Sequence, residues 1–191
     1  MTTDEHQSRT ARSYKLLLLF AMISMTMMFA GLTSAFVVSK SRADWLKNFQ
    51  LPIAFYFSTA VIIGCSITFH LAKKAIQKDN RSATTTFLLS TLGLGIAFVI
   101  LQFVGFGQIV ENGYYFTGSE SSITTTFLYI VTLVHLLHLA GGIISLLIII
   151  YNHFKQKYNS TQTIGIELGA MYWHFLDILW VFLFLFLYFF K

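Results

Sequence analysis

Five long apolar blocks divide the sequence, and they constrain its fold more than any other feature. Each block has at least the ~20 residues that an α-helix needs to cross the hydrocarbon core of a bilayer. Almost all charged residues lie between the blocks. A helix satisfies its own backbone polar groups, so each block can lie in lipid as a helix. The sequence therefore predicts five transmembrane helices, at about 16–38, 51–72, 85–106, 126–150 and 168–190.

The composition excludes a soluble protein. The chain has 191 residues, of which 55% are hydrophobic and 11% are charged, whereas soluble domains carry about 25% charged residues. The loops between the blocks are too short to hold a second domain. We therefore expect an all-α polytopic helical bundle, a single membrane domain over residues 1–191. The excess of Lys and Arg lies between the blocks, so we expect no nucleic-acid partner.

The distribution of Lys and Arg predicts how the chain lies in the membrane. Cytoplasmic segments of membrane proteins are enriched in these residues. With five spans, the N-terminal segment and the second and fourth loops share one face, which carries most of them. We therefore expect a cytoplasmic N-terminus and a periplasmic C-terminus. The cations on the cytoplasmic face are Arg9, Arg12, Lys15, Lys73, Lys74, Lys78, Arg81, Lys155 and Lys157, and those on the other face are Lys40, Arg42, Lys47 and Lys191.

The fifth block carries polar residues that are unusual for a transmembrane helix. Asp177 lies near its middle, where a charged side chain costs about 2.5–3.5 kcal/mol on insertion scales. At about 100° per residue, Glu167, His174 and Asp177 share one face of the helix. Trp173 flanks this face, and we expect its replacement to matter less than that of Asp177. The carboxylates are expected to find donors on neighbouring helices, away from lipid.

The fourth block has a polar face of the same kind, on which His135 and His138 lie together with Gly142. The simplest arrangement places this face against that of the fifth helix or against a neighbouring chain. Asp177 and Glu167 would then meet His or Ser donors. Polar side chains bond across helices in lipid, and small residues let helices approach closely.

The first and third blocks show a weaker version of this pattern. Gly31 belongs to a small-residue face of the first helix, and Gly95 and Gln102 lie on one face of the third. We expect these faces to be close-packing seams between helices. The single cysteine, Cys65, has no metal-ligand spacing around it and is expected to be a small packed apolar residue.

The residues alone leave three interpretations of the intramembrane polar groups. A b-type haem could be held by His174 together with His135 or His138. A proton relay or transport path could run through the same histidines and Asp177. Structural packing is the interpretation that the residue pattern favours. On this basis we predict no catalytic residue, no metal site and no cofactor on the chain.

Four segments resemble subunit III of the haem–copper oxidases, the family of cytochrome c oxidase. "YWHFLDILWVFLF" resembles the last helix of that subunit, and "TLVHLLHLAGGIISLL" is similar to the helix before it. "LPIAFYFSTAVIIGCSIT" and "FAGLTSAF" resemble the second span and the end of the first. The resemblance covers nearly the whole chain and corresponds to the shorter, five-helix form. Two positions depart from the family pattern, because Met25 and Gly105 stand where intramembrane glutamates are common.

The resemblance implies a non-catalytic subunit of a proton-pumping terminal oxidase in the aerobic respiratory chain. Such a subunit packs against subunit I, stabilises it and supports its proton uptake, whereas the haems and copper lie in subunits I and II. A bound phospholipid and a bacterial cytoplasmic (inner) membrane are further expectations. A quinol-fed oxidase remains the alternative, and a larger supercomplex with a quinol-oxidising complex remains open as a partner.

Overall fold

The computed structural model describes residues 3–42, 45–46, 50–118, 122–159 and 162–190, with the backbone alone for residues 3–8. Lys47 and Lys191, which entered the orientation prediction, lie outside them. The described residues form helices and connecting turns, with no strand. The helices are α1 (Thr3–Val38, followed by a 3-10 turn at Ser39–Ser41), α2 (Ile53–Gln77), α3 (Arg81–Glu111), α4 (Ile123–Phe154) and α5 (Ile164–Phe190).

All five helices are long and apolar enough to cross a membrane, which confirms the predicted fold class. They are longer than the predicted spans, most of all α1, which begins at Thr3. The apolar blocks mark only the part of each helix that can lie in hydrocarbon, whereas the helical backbone continues into the polar residues on either side.

Local sequence signals explain where the helices begin. Pro52, which has no N–H to leave unpaired, directly precedes α2. The side chain of Asn80 accepts a hydrogen bond from the Ala83 N–H at the start of α3. Ser122 and Thr125 form a capping box at the start of α4. Asp79 has a φ of 54° in the short turn between α2 and α3, and this turn lets the two helices return side by side.

α5 is the central helix of the bundle. It packs against α1, α2 and α4, whereas α2 and α3 pair along most of their length. Its buried side chains recur every three or four residues and include Trp173, Leu176, Trp180 and Leu183. α1 lies at the edge, against α4 and α5, and most of its large apolar side chains are exposed. Exposed apolar side chains are what a helix presents to lipid.

Candidate functional site

The indole ring of Trp173 lies at the centre of the bundle, with 1% of the residue exposed. A Cβ built on Gly95 of α3 would lie 3.2 Å from this ring, and one on Gly142 of α4 would lie 3.4 Å from it. Phe69 of α2 meets the ring edge-on, with centroids 6.0 Å apart. Trp173 therefore fills the space between four helices, and the expectation that it merely flanks the polar face is wrong.

Asp177 is buried one turn beyond Trp173, with 4% exposure. Neither of its carboxylate oxygens completes a hydrogen bond with the described residues. Ser66 of α2 lies beside the carboxylate, and its hydroxyl is 2.6 Å from Nδ1 of His174. The sequence predicted a His or Ser neighbour for this carboxylate, and a serine does lie beside it, but on α2 and not on α4.

His135 is fully buried among aromatic rings. Its ring centroid lies 5.1 Å from that of Trp180 and 6.0 Å from that of Phe98. Neither ring nitrogen bonds to any described residue. His138, in contrast, donates from Nδ1 to the carbonyl of Val134 in its own helix at 2.7 Å. The two histidines thus lie on the same helix in different surroundings.

Two further hydrogen bonds join helices in the other half of the bundle. Gln102 of α3 donates from Nε2 to Ser58 Oγ of α2 at 2.9 Å. Trp180 of α5 donates from Nε1 to Thr59 Oγ1 of α2 at 3.1 Å. Each bond satisfies a buried donor across a helix interface, and α2 supplies the acceptor in both cases.

At the end of the bundle where α5 begins, Glu167 pairs with a cation. Lys15 Nζ of α1 lies 2.7 Å from Glu167 Oε2, and the Thr163 hydroxyl donates to Oε1 at 2.8 Å. The expected partner for Glu167 was a His or Ser donor, and this expectation is wrong, because its partners are Lys15 and Thr163. In the loop nearby, burial raises the pKa of Tyr158, partly offset by a hydrogen bond with Asn152, so its phenol stays protonated.

The two departures from the family pattern have different surroundings. A Cβ on Gly105 would overlap the buried ring of Phe55, so aromatic packing takes the place of a side chain at position 105. Met25 is half-buried on α1.

Gly31 of α1 is exposed, and a Cβ there would meet no atom within 4 Å. The expected seam at Gly31 is therefore not formed within this chain.

Sequence reasoning missed three polar neighbours of these side chains: Ser66, His70 and Lys15. The ring of His70 lies 6.2 Å from that of His174 between centroids. Ser66 and His70 lie four residues apart, which places them on one face of α2. That spacing was a usable signal, whereas nothing in the sequence indicated that Lys15 would reach Glu167 across 152 positions of the chain.

The candidate histidines are separated by their contacts. His135 lies on Trp180, His138 is bonded to its own helix, and His174 is bonded to Ser66 of α2. Among the described residues, no three His, Cys, Asp or Glu side chains come together in a way that could hold a metal ion. A haem between His174 and either histidine of α4 would require these contacts to break.

The family model and the relatives that match this chain carry the same name. The family model described as cytochrome c oxidase subunit III matches residues 2–191. A protein of Spodoptera frugiperda named cytochrome c oxidase subunit 3 is 34% identical over 140 residues, 73% of this chain and 89% of the relative. Proteins of the same name from Drosophila melanogaster and Petromyzon marinus are 32% and 31% identical. The matches cover 50% and 51% of those two relatives, so the chain spans about half their length.

Proposed function

Because the chain belongs to the cytochrome c oxidase subunit III family, we propose that it is the third subunit of a terminal oxidase fed by cytochrome c. In this role it carries no active site. It packs against subunit I, stabilises that subunit during turnover and supports its proton uptake. The cofactors of the reaction, the haems and copper, belong to subunits I and II.

The observation that carries this proposal is how the intramembrane polar residues are used. The amide of Gln102 and the indole N–H of Trp180 donate hydrogen bonds to α2. The ring of Trp173 packs against Gly95 and Gly142. In lipid, such contacts specify how helices pack, because apolar burial alone does not distinguish one neighbour from another. These contacts fix how the helices pack on one another, as a subunit that packs against another membrane subunit requires.

A groove on the surface supports the further proposal of a bound phospholipid. It lies between α1 and α5, has a volume of about 510 Å³ and is lined mainly by apolar side chains such as Phe29, Val37 and Phe182. An acyl chain fits such a surface.

We also propose that the polypeptide forms one membrane domain with its N-terminus in the cytoplasm of a bacterium. Membership of a larger assembly with a quinol-oxidising complex is compatible with this arrangement.

The relatives reported above are named cytochrome c oxidase subunit 3, which favours cytochrome c over quinol as the electron donor of the complex. Among the residues that the structure describes, the contacts of the histidines do not favour a b-type cytochrome.

The proposal is tested by purifying the oxidase with and without this chain. We expect the depleted enzyme to begin turnover normally and then to lose activity and proton uptake faster than the complete enzyme. Adding back the purified chain should restore the lifetime. An oxidase of equal composition and lifetime in a strain that lacks the chain would contradict the proposed function.

A further inference from the structure

A line of polar side chains leads from the cytoplasmic end of the bundle to Asp177. His70 of α2 is exposed, and its ring faces that of His174 at a centroid distance of 6.2 Å. Nδ1 of His174 is 2.6 Å from the hydroxyl of Ser66, and Ser66 lies beside the carboxylate of Asp177. Asp177 lies about 20 Å along α5 from its first residue, which is close to the middle of a bilayer.

Beyond Asp177, large aromatic rings take the place of these polar side chains. On the external side, the ring of Trp180 is packed edge-on against Phe55 and Phe98, with centroids 5.8 and 5.2 Å apart. These three residues are 0% exposed. The hydroxyl that lies beside the carboxylate is that of Ser66, and it leads to His174 at the opposite side from these rings.

The carboxylate has no fixed hydrogen-bond donor, although it is 4% exposed. A buried carboxylate without a donor carries a large desolvation penalty, which binding a proton removes. Most buried polar groups are hydrogen-bonded, and a carboxylate left without a donor therefore needs an explanation. The carboxylate of Asp177 is instead within reach of one hydroxyl that is already engaged with an imidazole.

We propose that Asp177 is a proton-binding site that exchanges with the cytoplasmic side through Ser66, His174 and His70. A proton from His70, which water on the cytoplasmic side replaces, binds Nε2 of His174, and the Nδ1 proton moves to Ser66 Oγ. The hydroxyl proton of Ser66 moves to the carboxylate of Asp177, so one proton enters and one O–H bond forms on the carboxyl group. The imidazole then carries its proton on Nε2. Loss of that proton to water, protonation of Nδ1 and reorientation of the Ser66 hydroxyl restore the starting arrangement, and the reverse sequence releases the proton from Asp177.

Few other ionisable groups face this path. On α2, the thiol of Cys65 lies near Asp177 and donates to the carbonyl of Thr91 at 3.2 Å. Lys73 of α2 lies near His174 and Glu167 at the cytoplasmic end. On α4, His135 contacts Trp180 and not Asp177. The proposal goes beyond the proposed function, because it concerns proton exchange within this chain whatever complex contains it.

The test is infrared spectroscopy of whichever complex the tagged chain brings down. The carboxyl C=O band of protonated Asp177 is identified by its loss in Asp177→Asn, and its shift is followed after transfer to D2O. We expect Ser66→Ala to slow the exchange by at least about tenfold, which corresponds to roughly 1.4 kcal/mol on a barrier. Ser58→Ala is the matched control, since Ser58 is a buried serine of the same helix that bonds to Gln102, and it should leave the rate unchanged.

A second variant keeps the test decisive if Ser66→Ala does not assemble. His70→Gln alters an exposed side chain at the entrance, and we expect it to assemble normally and to slow the exchange. Equal exchange rates in the wild type and in the variant of Ser66 or His70 that assembles would overturn the proposal. So would a spectrum in which Asp177→Asn removes no carboxyl band.

Discussion

At the scale of residues, the core depends on large rings placed against glycines. The pattern of apolar residues predicted the helices, and glycines at 95 and 142 indicated close packing. The pattern could not show that the ring of Trp173 packs against both of these glycines. The rotation of one helix relative to another is decided by the shapes of the side chains at their interface. The sequence therefore located the candidate residues on α4 and α5 but not their partners.

Trp173→Ala should destabilise the bundle strongly. Removing a buried Trp or Phe side chain costs about 3–5 kcal/mol, because the cavity that remains cannot be filled completely. We expect the thermal unfolding temperature of the purified chain in detergent to fall well below that of Phe57→Ala. Phe57 is 62% exposed on α2, so its replacement is the control. Equal unfolding temperatures in the two variants would show that the ring does not hold the helices together.

Gly105→Ala should also destabilise the chain, since the new Cβ would overlap the ring of Phe55. Gly107→Ala lies in the same helix with no atom within 4 Å of the new Cβ, and it should be neutral or stabilising by up to about 1 kcal/mol. Adding Phe55→Leu to Gly105→Ala should recover part of the loss. Equal unfolding temperatures for Gly105→Ala and Gly107→Ala would contradict the close contact between position 105 and the ring of Phe55.

At the scale of elements, α5 organises the bundle and α1 is attached at its edge. The order and number of helices followed from the apolar blocks, whereas the neighbours of each helix did not. The polar faces of α4 and α5 were expected to meet each other or a neighbouring chain. His135 and Gly142 of α4 do lie against α5, but His174, Trp180 and Glu167 of α5 bond to side chains of α2 and α1. Helical periodicity gives the polar face of each helix but carries no information about which other helix it meets.

The pair between Lys15 and Glu167 joins α1 to α5, and its side chains are 42% and 25% exposed. Partly exposed pairs contribute about 0.2–1 kcal/mol. Lys15→Glu should therefore weaken the attachment of α1 slightly, as measured by proteolysis at its N-terminal end. The double exchange Lys15→Glu with Glu167→Lys should restore resistance, and failure to restore it at low salt would argue against a direct pair.

At the scale of the whole molecule, the chain is a membrane-spanning helical bundle of the cytochrome c oxidase subunit III family. Its fold class and family could be predicted from the sequence, because transmembrane helices and the "YWHFLDILW" segment are local features. Its hold on partner subunits is a property of surfaces, and no local pattern encodes it. The function of the chain therefore depends on the assembly that contains it.

Asp177→Leu should leave the chain inserted in the membrane but weaken its hold on the complex. Leucine removes the contact with Ser66 and changes how α5 meets α2. We expect a smaller yield of complete oxidase after detergent extraction, at an unchanged amount of the chain in the membrane. Asp177→Asn, which keeps the shape of the side chain, is the control and should assemble better than Asp177→Leu. Normal yield and stability with Asp177→Leu would contradict this role.

The most direct measurement is a reduced-minus-oxidised absorption spectrum of material purified through a tag on this chain, before and after harsher detergent removes its partners. A cofactor-free third subunit predicts a haem signal that is present at first and leaves with the partners. Haem that stays on the isolated chain would contradict the account and would make His135, His138 and His174 its candidate ligands.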